Sequence, residues 1–483
     1  MKLADVIKMM FNAVAGATLC GSAAELPRVE LKESKFPPAA ISAFLDAVAS
    51  WPENHMHSFM LLQHGKVLAE GYWAPYRAQD RSSLFSVSKT FTSTAVGFAV
   101  QEQKLDISQK VIEFFPEEVT ADLTDYQRNL TVQDLLTMES GHAVEPWANF
   151  ELYPEKPLTA FFSEALAYKP GTRYLYNSCA SYMLSIIVAK AVGMPMIEYL
   201  KPRLFDKLGI VNPYWDADKN GNAYGGWGLW LNTEELATYG QFYLQNGEWH
   251  GEQLLNKAWI KQATAAKSFV ADTDNGADWQ QGYGLHFWRG THNHFRGDGT
   301  MGQYVIVYPD LDAVLVMTGK TNDLALPLDT AHNTLIAALE GKFDAASSAT
   351  YTVEVKNRLA GLALPVESGI TSGYPAAFAT VLPQGEDKPD VKMVWNPAEK
   401  QLELEIIGQS VVVAPLGVWR ANVTERNGIV WGRAEWKTAD ELVIYSYGCP
   451  WESRYTLKLN PDSTAVATDS NQPNAELKVT LKR

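Results

Sequence analysis

A chain of 483 residues with 46% hydrophobic and 11% aromatic content can bury a large core, enough for two domains or for one with a substantial appendix. Its formal charge of −14 argues against nucleic acid or an anionic membrane surface as the main partner. Three cysteines, Cys20, Cys179 and Cys449, are too few and too scattered for a disulfide framework or a zinc site, so a reducing compartment is permitted.

In residues 1–25, Lys2 and Lys8 flank an apolar run from Met9 to Cys20 that has the outline of a secretory leader. Asp5 in the basic part and Asn12 in the apolar part point instead to a short amphipathic helix. The second reading goes with a cytoplasmic location and the first with a periplasmic one. No other stretch approaches the roughly 18 apolar residues of a spanning helix, so no transmembrane segment is expected.

From Pro37 the pattern predicts a helix over 39–50. A hairpin follows, Ser58 to Leu62 and Val67 to Trp73, joined by His64-Gly65-Lys66. His55 and His57 form an H-x-H pair with no further ligand cluster near them in sequence, and are read as structural.

Ser86-Val87-Ser88-Lys89 then opens a run, Thr90 to Val100, that is small or apolar almost throughout. A helix starting near Ser86 places Ser86 and Lys89 on one face within side-chain reach. Thr and Val are mediocre helix formers, so burial on all sides holds such a helix better than propensity does. A serine hydroxyl needs a base to become a nucleophile, and a lysine serves as one only when desolvation or a helix N-terminus lowers its pKa. The Ser86 N–H, in the first turn, is free to face an oxyanion. S-x-x-K alone is a weak signal, and its bland alternative is a capping serine with a solvated lysine.

Further on, Leu130 to Met138 reads as an amphipathic helix capped by Thr131 with Asp134 three residues later. Residues 143–172 are aromatic and irregular, in the manner of a cleft wall. Tyr176-Asn177-Ser178 stands at a loop-to-helix junction before an apolar helix from Ala180 to Val192, where it offers a phenol and an amide to the same proton network or simply packs and caps. Asn232 with Glu235 forms a capping box for a helix to Tyr243. Gly297 to Gln303 precedes a strand, Tyr304 to Tyr308. The Thr300 N–H there is a candidate second oxyanion donor, and His292-Asn293-His294 reads as loop.

Three ordered motifs, Ser86-Val87-Ser88-Lys89, Tyr176-Asn177-Ser178 and Gly225-Gly226-Trp227-Gly228-Leu229, resemble the serine β-lactamase and penicillin-binding-protein superfamily over about residues 40–340. The likeness is greatest to its class C, esterase and 6-aminohexanoate-dimer hydrolase branch. The resemblance implies an α+β catalytic domain, with an antiparallel sheet flanked by helices and a helical subdomain. It also implies Ser86 as acylated nucleophile, Lys89 as proton acceptor and Tyr176 as proton donor to the leaving group. Ser86 and Thr300 would form the oxyanion hole, and no cofactor or metal is implied.

The third motif departs from the family's cation-Thr/Ser-Gly pattern. Gly297-Asp298-Gly299-Thr300 carries no Lys or His for a substrate carboxylate, although Arg296 or Arg289 stands nearby. The substrate expected is therefore a small-molecule ester or small amide, with a β-lactam or D-amino-acid peptide as the alternative. A protein that acylates without turnover and acts as a sensor is the non-enzyme alternative. Asn177, Ser178, Gly299, Trp147 and Trp227 are assigned to substrate binding, with Tyr72, Phe150, Trp230 and Trp288 as further aromatic candidates for an acyl pocket.

After the linker-like Ala345 to Thr350, short period-two runs between Gly, Asn, Asp and Pro turns predict a C-terminal β-sandwich or barrel. The division expected is an N-terminal extension at 1–36, a hydrolase domain at 37–345 and an all-β domain at 350–483. Oligomeric state is not legible.

Overall fold

The computed structural model describes residues 25–343, except 52–54, 154, 212 and 271–275. It also describes 351–480, except 367–368, 370–371, 374–376, 383–390, 407–409, 425–427, 449–451, 462–463 and 470–471. The expectations for residues 1–24 and for the linker at 345–350 lie outside the described residues.

In chain order, α1 (Pro38–Ala49) leads into the hairpin of β1 (His55–Gln63) and β2 (Lys66–Tyr72). Then come α2 (Ser88–Gln101), α3 (Val132–Leu136), α4 (Ser178–Val192) and α5 (Thr233–Leu244). The strands β3 (Trp288–Arg289), β4 (Phe295–Gly299), β5 (Gln303–Tyr308) and β6 (Ala313–Lys320) follow. They complete an antiparallel sheet in the order β2-β1-β6-β5-β4-β3.

Successive side chains point to opposite faces of a strand, so a sheet built of continuous apolar runs must be covered on both sides. Met60, Leu62, Val305, Val307, Val314 and Val316 face the core built with α2, α4 and α5. Phe59, Leu61, Ile306, Leu315 and Met317 face the other way, onto Phe44 and Leu45 of α1. The helix α5 seats directly on the sheet at Gly240, where a Cβ would lie 2.6 Å from Val314 Cγ1. Both capping boxes form as the sequence indicates, Thr131 with Asp134 and Asn232 with Glu235. The stretch 143–172 is less irregular than expected, since it contains short helices at Trp147–Leu152 and Pro157–Phe162.

Beyond residue 350 the first element is α6 (Tyr351–Ala360), which the sequence reading did not anticipate. It packs on α1, with Arg358 Nη2 donating to Asp46 Oδ1 at 2.6 Å. Ten strands follow. β7 (Phe378–Leu382), β8 (Val391–Asn396), β9 (Gln401–Ile406) and β10 (Ser410–Pro415) form one antiparallel sheet. β11 (Arg420–Thr424), β12 (Gly428–Trp436), β13 (Glu441–Gly448), β14 (Glu452–Leu459), β15 (Thr464–Asp469) and β16 (Gln472–Thr480) form a second. Trp395, Leu404, Val412, Trp436, Leu442 and Ile444 fill the space between the two.

The opposite side of the second sheet, through Trp431, Val443, Tyr445 and Tyr447, joins the core beneath α1. Polar contacts fix that interface. The Trp431 indole donates to Asp80 Oδ2 at 3.0 Å, and Glu452, buried at 3% exposure, meets both histidines of the H-x-H pair on β1. The architecture is thus a β-lactamase/transpeptidase-like α+β fold with added C-terminal sheets. Among the described residues no single helix is long and apolar enough to cross a membrane.

Candidate active site

The reactive helix begins with a 3-10 turn, Phe85–Val87, one turn tighter than the sequence suggests, and Phe85 adopts φ 44°. A left-handed aromatic residue is costly, by roughly 1–3 kcal/mol, and persists only where the surroundings enforce it. Here the enforcing partner is β4. A Cβ at Gly299 would lie 2.4 Å from the Leu84 carbonyl oxygen and 3.2 Å from Phe85 Cβ, so only glycine lets the strand end dock beside the nucleophile. Thr300, next along the chain from Gly299, is exposed. Ser86 itself is part-exposed and reachable.

Every residue of α2 from Ser88 to Ala99 is buried, as a Thr-rich helix of poor intrinsic propensity requires. Its threonine hydroxyls are satisfied inside. Thr92 donates to the Gly225 carbonyl at 2.7 Å, and Thr94 bonds Tyr239 and Tyr243 at 2.9 and 2.7 Å. Lys89 is 1% exposed, and its Nζ lies 2.9 Å from Ser86 Oγ, 3.2 Å from Ser178 Oγ and 2.8 Å from the Gly226 carbonyl oxygen. Burial brings its pKa down to about 7, against an opposing pull from Glu145 and Asp298.

A neutral amine has two N–H donors and one lone pair. The carbonyl of Gly226 can only accept, so the lone pair is available to a hydroxyl, and Ser86 is the nearer of the two.

Tyr176 stacks on Trp288 with ring centroids 5.9 Å apart, and its ring centroid lies 4.7 Å from Lys89 Nζ. Its hydroxyl lies close enough to the Ser86 side chain to act on it. Burial, then the nearby charge of Asp298, raise its pKa, so it is a phenol that keeps its proton.

Asn177, assigned to substrate binding from the sequence, is fully buried. Its Oδ1 accepts from the Ala180 N–H at 3.1 Å and caps α4, and its Nδ2 faces Ser140 Oγ at 3.4 Å. The side chain is committed to the helix rather than open to a ligand. Trp147 and Trp227 do come together, edge to face at 4.5 Å, and with Phe150 and Tyr224 they line a cavity of about 640 Å³. None of Ser86, Lys89, Tyr176 or Ser178 lines that cavity; Gly226, whose carbonyl accepts from Lys89, lies in the sequence between its lining residues Tyr224 and Trp227. Of the other aromatic candidates, Trp288 backs Tyr176. Trp230 donates to Asp216 at 3.2 Å, and Tyr72 donates to Glu70 at 3.1 Å.

One residue escaped the sequence reading. Glu145 accepts from the backbone N–H groups of Ser178 and of Cys179, the latter at 3.1 Å, and its charge reaches Lys89. The only sequence signal was an acid two residues before Trp147. Because Glu145 favours the protonated lysine, Glu145→Gln is expected to lower the pKa of Lys89 and move the acid limb of a pH–rate profile to lower pH. A limb that stays in place on titration of the variant would exclude the coupling.

Arg296, entertained as a partner for a substrate carboxylate, is fully buried behind β4. Its guanidinium lies over Trp279 at 4.5 Å and pairs with Asp298 at 3.3 Å. Its Nη1 donates to His294 Nε2 at 3.1 Å. His294, read as loop, is therefore a buried support. Asp278, His294 and His332 are grouped closely enough to ligate a metal among the described residues. A guanidinium already on the His294 nitrogen that faces Asp278 makes the group a poor cation site.

A model of the family described as Beta-lactamase matches residues 52–339, more than half of the chain. The chain belongs to the beta-lactamase family. Among similar beta-lactamase-family proteins, the 6-aminohexanoate-dimer hydrolase of Paenarthrobacter ureafaciens is 27% identical over 286 residues, covering 55% of this chain and 73% of that one. The lovastatin esterase of Penicillium rubens is 26% identical over 170 residues, 30% of this chain and 42% of that one. The octameric penicillin-binding protein homologue from Pyrococcus abyssi superposes with a TM-score of 0.50 at 16% identity, covering 92% of this chain and 99% of that one, a likeness of fold that extends over the C-terminal sheets. In general terms these relatives make this beta-lactamase-family chain a serine-type hydrolase.

Proposed function

We propose that the chain cleaves an ester or small amide through an acyl-enzyme on Ser86. The observation that carries this reading is the buried Lys89 amine, 2.9 Å from Ser86 Oγ with a pKa near 7. Neutral Lys89 takes the Ser86 proton as the hydroxyl oxygen attacks the carbonyl carbon, and the backbone N–H groups of Ser86 and Thr300 receive the oxyanion. Tyr176, held protonated by burial, donates to the leaving group as the tetrahedral adduct collapses. A water then attacks the ester on Ser86, and its proton passes back through the same tyrosine and lysine. The cavity beside Trp147 and Trp227 takes the apolar part of the substrate.

The test is turnover of a short-chain p-nitrophenyl ester with mass spectrometry of the quenched protein. Steady turnover and an acyl adduct on the Ser86 peptide are expected, both abolished in Ser86→Ala. Substantial activity in Ser86→Ala would overturn the reading, and an adduct without turnover would replace it by a binding or sensing role.

A further inference from the structure

The strand that passes the reactive serine carries no cation for a substrate. Gly297 faces α2, where a Cβ would lie 2.8 Å from Thr90 Cγ2 and 3.2 Å from Val87 Cγ1, so no side chain fits at that point of the strand. Its neighbours Arg296 and Asp298, two residues apart, lie on the opposite face of β4. Arg296 is fully buried and spends its charge inward, on Asp298 at 3.3 Å, on His294 and on the Trp279 ring. Asp298 is the member of the pair nearer the cleft, 8% exposed, fixed by the Trp279 indole at 2.8 Å, and its charge reaches both Lys89 and Tyr176.

The other cation nearby, Arg289, donates to Asn293 Oδ1 at 2.5 Å and to the Asn293 carbonyl at 3.3 Å. On the far side of Lys89 stands a second carboxylate, Glu145. The two carboxylates whose charge reaches Lys89 are thus Glu145 and Asp298.

We propose that Asp298 determines substrate charge, by cancelling Arg296 and presenting a carboxylate to the cleft, so that the enzyme takes esters or amides whose leaving group is neutral or cationic and rejects those bearing a carboxylate. This rests on the serine-hydrolase reading of the same site and names its substrate class. A carboxylate brought close to Asp298 is repelled across a largely desolvated wall, where screening is weak. A cationic leaving group gains from the same field.

The test uses three aryl acetates of similar shape, phenyl acetate, 3-acetoxybenzoate and 3-acetoxy-N,N,N-trimethylanilinium, with the full-length protein at one pH. In the native protein kcat/KM for the anionic ester is expected at least tenfold below the neutral one, with the cationic ester equal to or above neutral. Asp298→Asn leaves Arg296 uncancelled, and the anionic-to-neutral ratio should rise tenfold or more. Adding Arg296→Met in the same chain removes that charge and should return the ratio part-way.

Equal kcat/KM for anionic and neutral esters in the native protein would overturn the proposal, as would an Asp298→Asn variant that slows all three substrates by one common factor. If Asp298→Asn does not fold, the native three-ester series decides alone. Failure of the native protein to turn over any of the three would instead overturn the hydrolase reading beneath it.

Discussion

Lys89→Met is expected to lower kcat/KM on a p-nitrophenyl ester about 1,000-fold, with the protein at least as stable as before. The loss follows from removing the general base beside Ser86 Oγ, an effect typically worth about 100- to 10,000-fold. The stability side runs the other way. A fully buried lysine held at about 7 instead of 10.5 binds fewer protons than in the unfolded chain between those two pH values. Its burial therefore weakens the fold, increasingly as pH falls from about 10.5 to 7, by an amount on the order of 5 kcal/mol at the lower end.

Methionine fills a similar volume without that penalty. It forfeits the bonds to Gly226 and Ser178, at about 1–3 kcal/mol for a stranded carbonyl. The net change at pH 7 is neutral to stabilising. Native activity should rise with pH through about 7, as the ammonium loses its proton, and Lys89→Met should lack that limb. Retention of more than a tenth of native kcat/KM, or a large fall in melting temperature, would show that Lys89 serves the fold instead of the chemistry.

The elements that sequence makes plain are those set by local rules. The short apolar runs Ser58 to Leu62 and Tyr304 to Tyr308, and the caps at Thr131 and Asn232, depend on residues within a few positions, and each appears where it was read. The spacing of Ser86 and Lys89 likewise brings their side chains together. What escaped depends on partners far along the chain. The left-handed Phe85 is imposed by β4, more than 200 residues later, and nothing in Phe85 itself announces it.

Asn177 has the chemistry of both a ligand group and a cap, and only burial decides between them. Arg296 looks like a free charge in the sequence, but the period-two geometry of β4 puts it on one face with Asp298, where the two pair. The helix α6 lies in a stretch assigned from the sequence to the all-β domain at 350–483.

The H-x-H pair is the plainest case of a missing distant partner, and it carries the second large effect. Glu452 on β14 accepts from His57 Nε2 at 2.7 Å, from Tyr76 at 3.3 Å and from His55, while its own backbone carbonyl accepts from Lys320 at 3.1 Å. Burial alone would raise the carboxyl, but the hydrogen bonds from the two histidines outweigh it and hold it at about 2, against an ordinary 4.5. Burial lowers the pKa of His57, which donates as a neutral imidazole.

Both groups bind fewer protons folded than unfolded, so both contribute stability that falls as the solution is acidified. The His57 contribution is lost below about 6.5, and that of Glu452 as pH falls from 4.5 toward 2. Glu452→Ala strands two imidazoles and a phenol in the interface between β1 and the C-terminal sheets, a loss of about 3–5 kcal/mol. Thermal melting at pH 8 should drop by roughly 5–15 °C, and melting should lose part of its dependence on pH between 8 and 4. Glu452→Gln, which keeps an acceptor without the charge, should fall between the two. An unchanged melt in Glu452→Ala would mean that the sheets are held by Trp431, Val443, Tyr445 and Tyr447 alone, and that the cluster adds nothing to the joint.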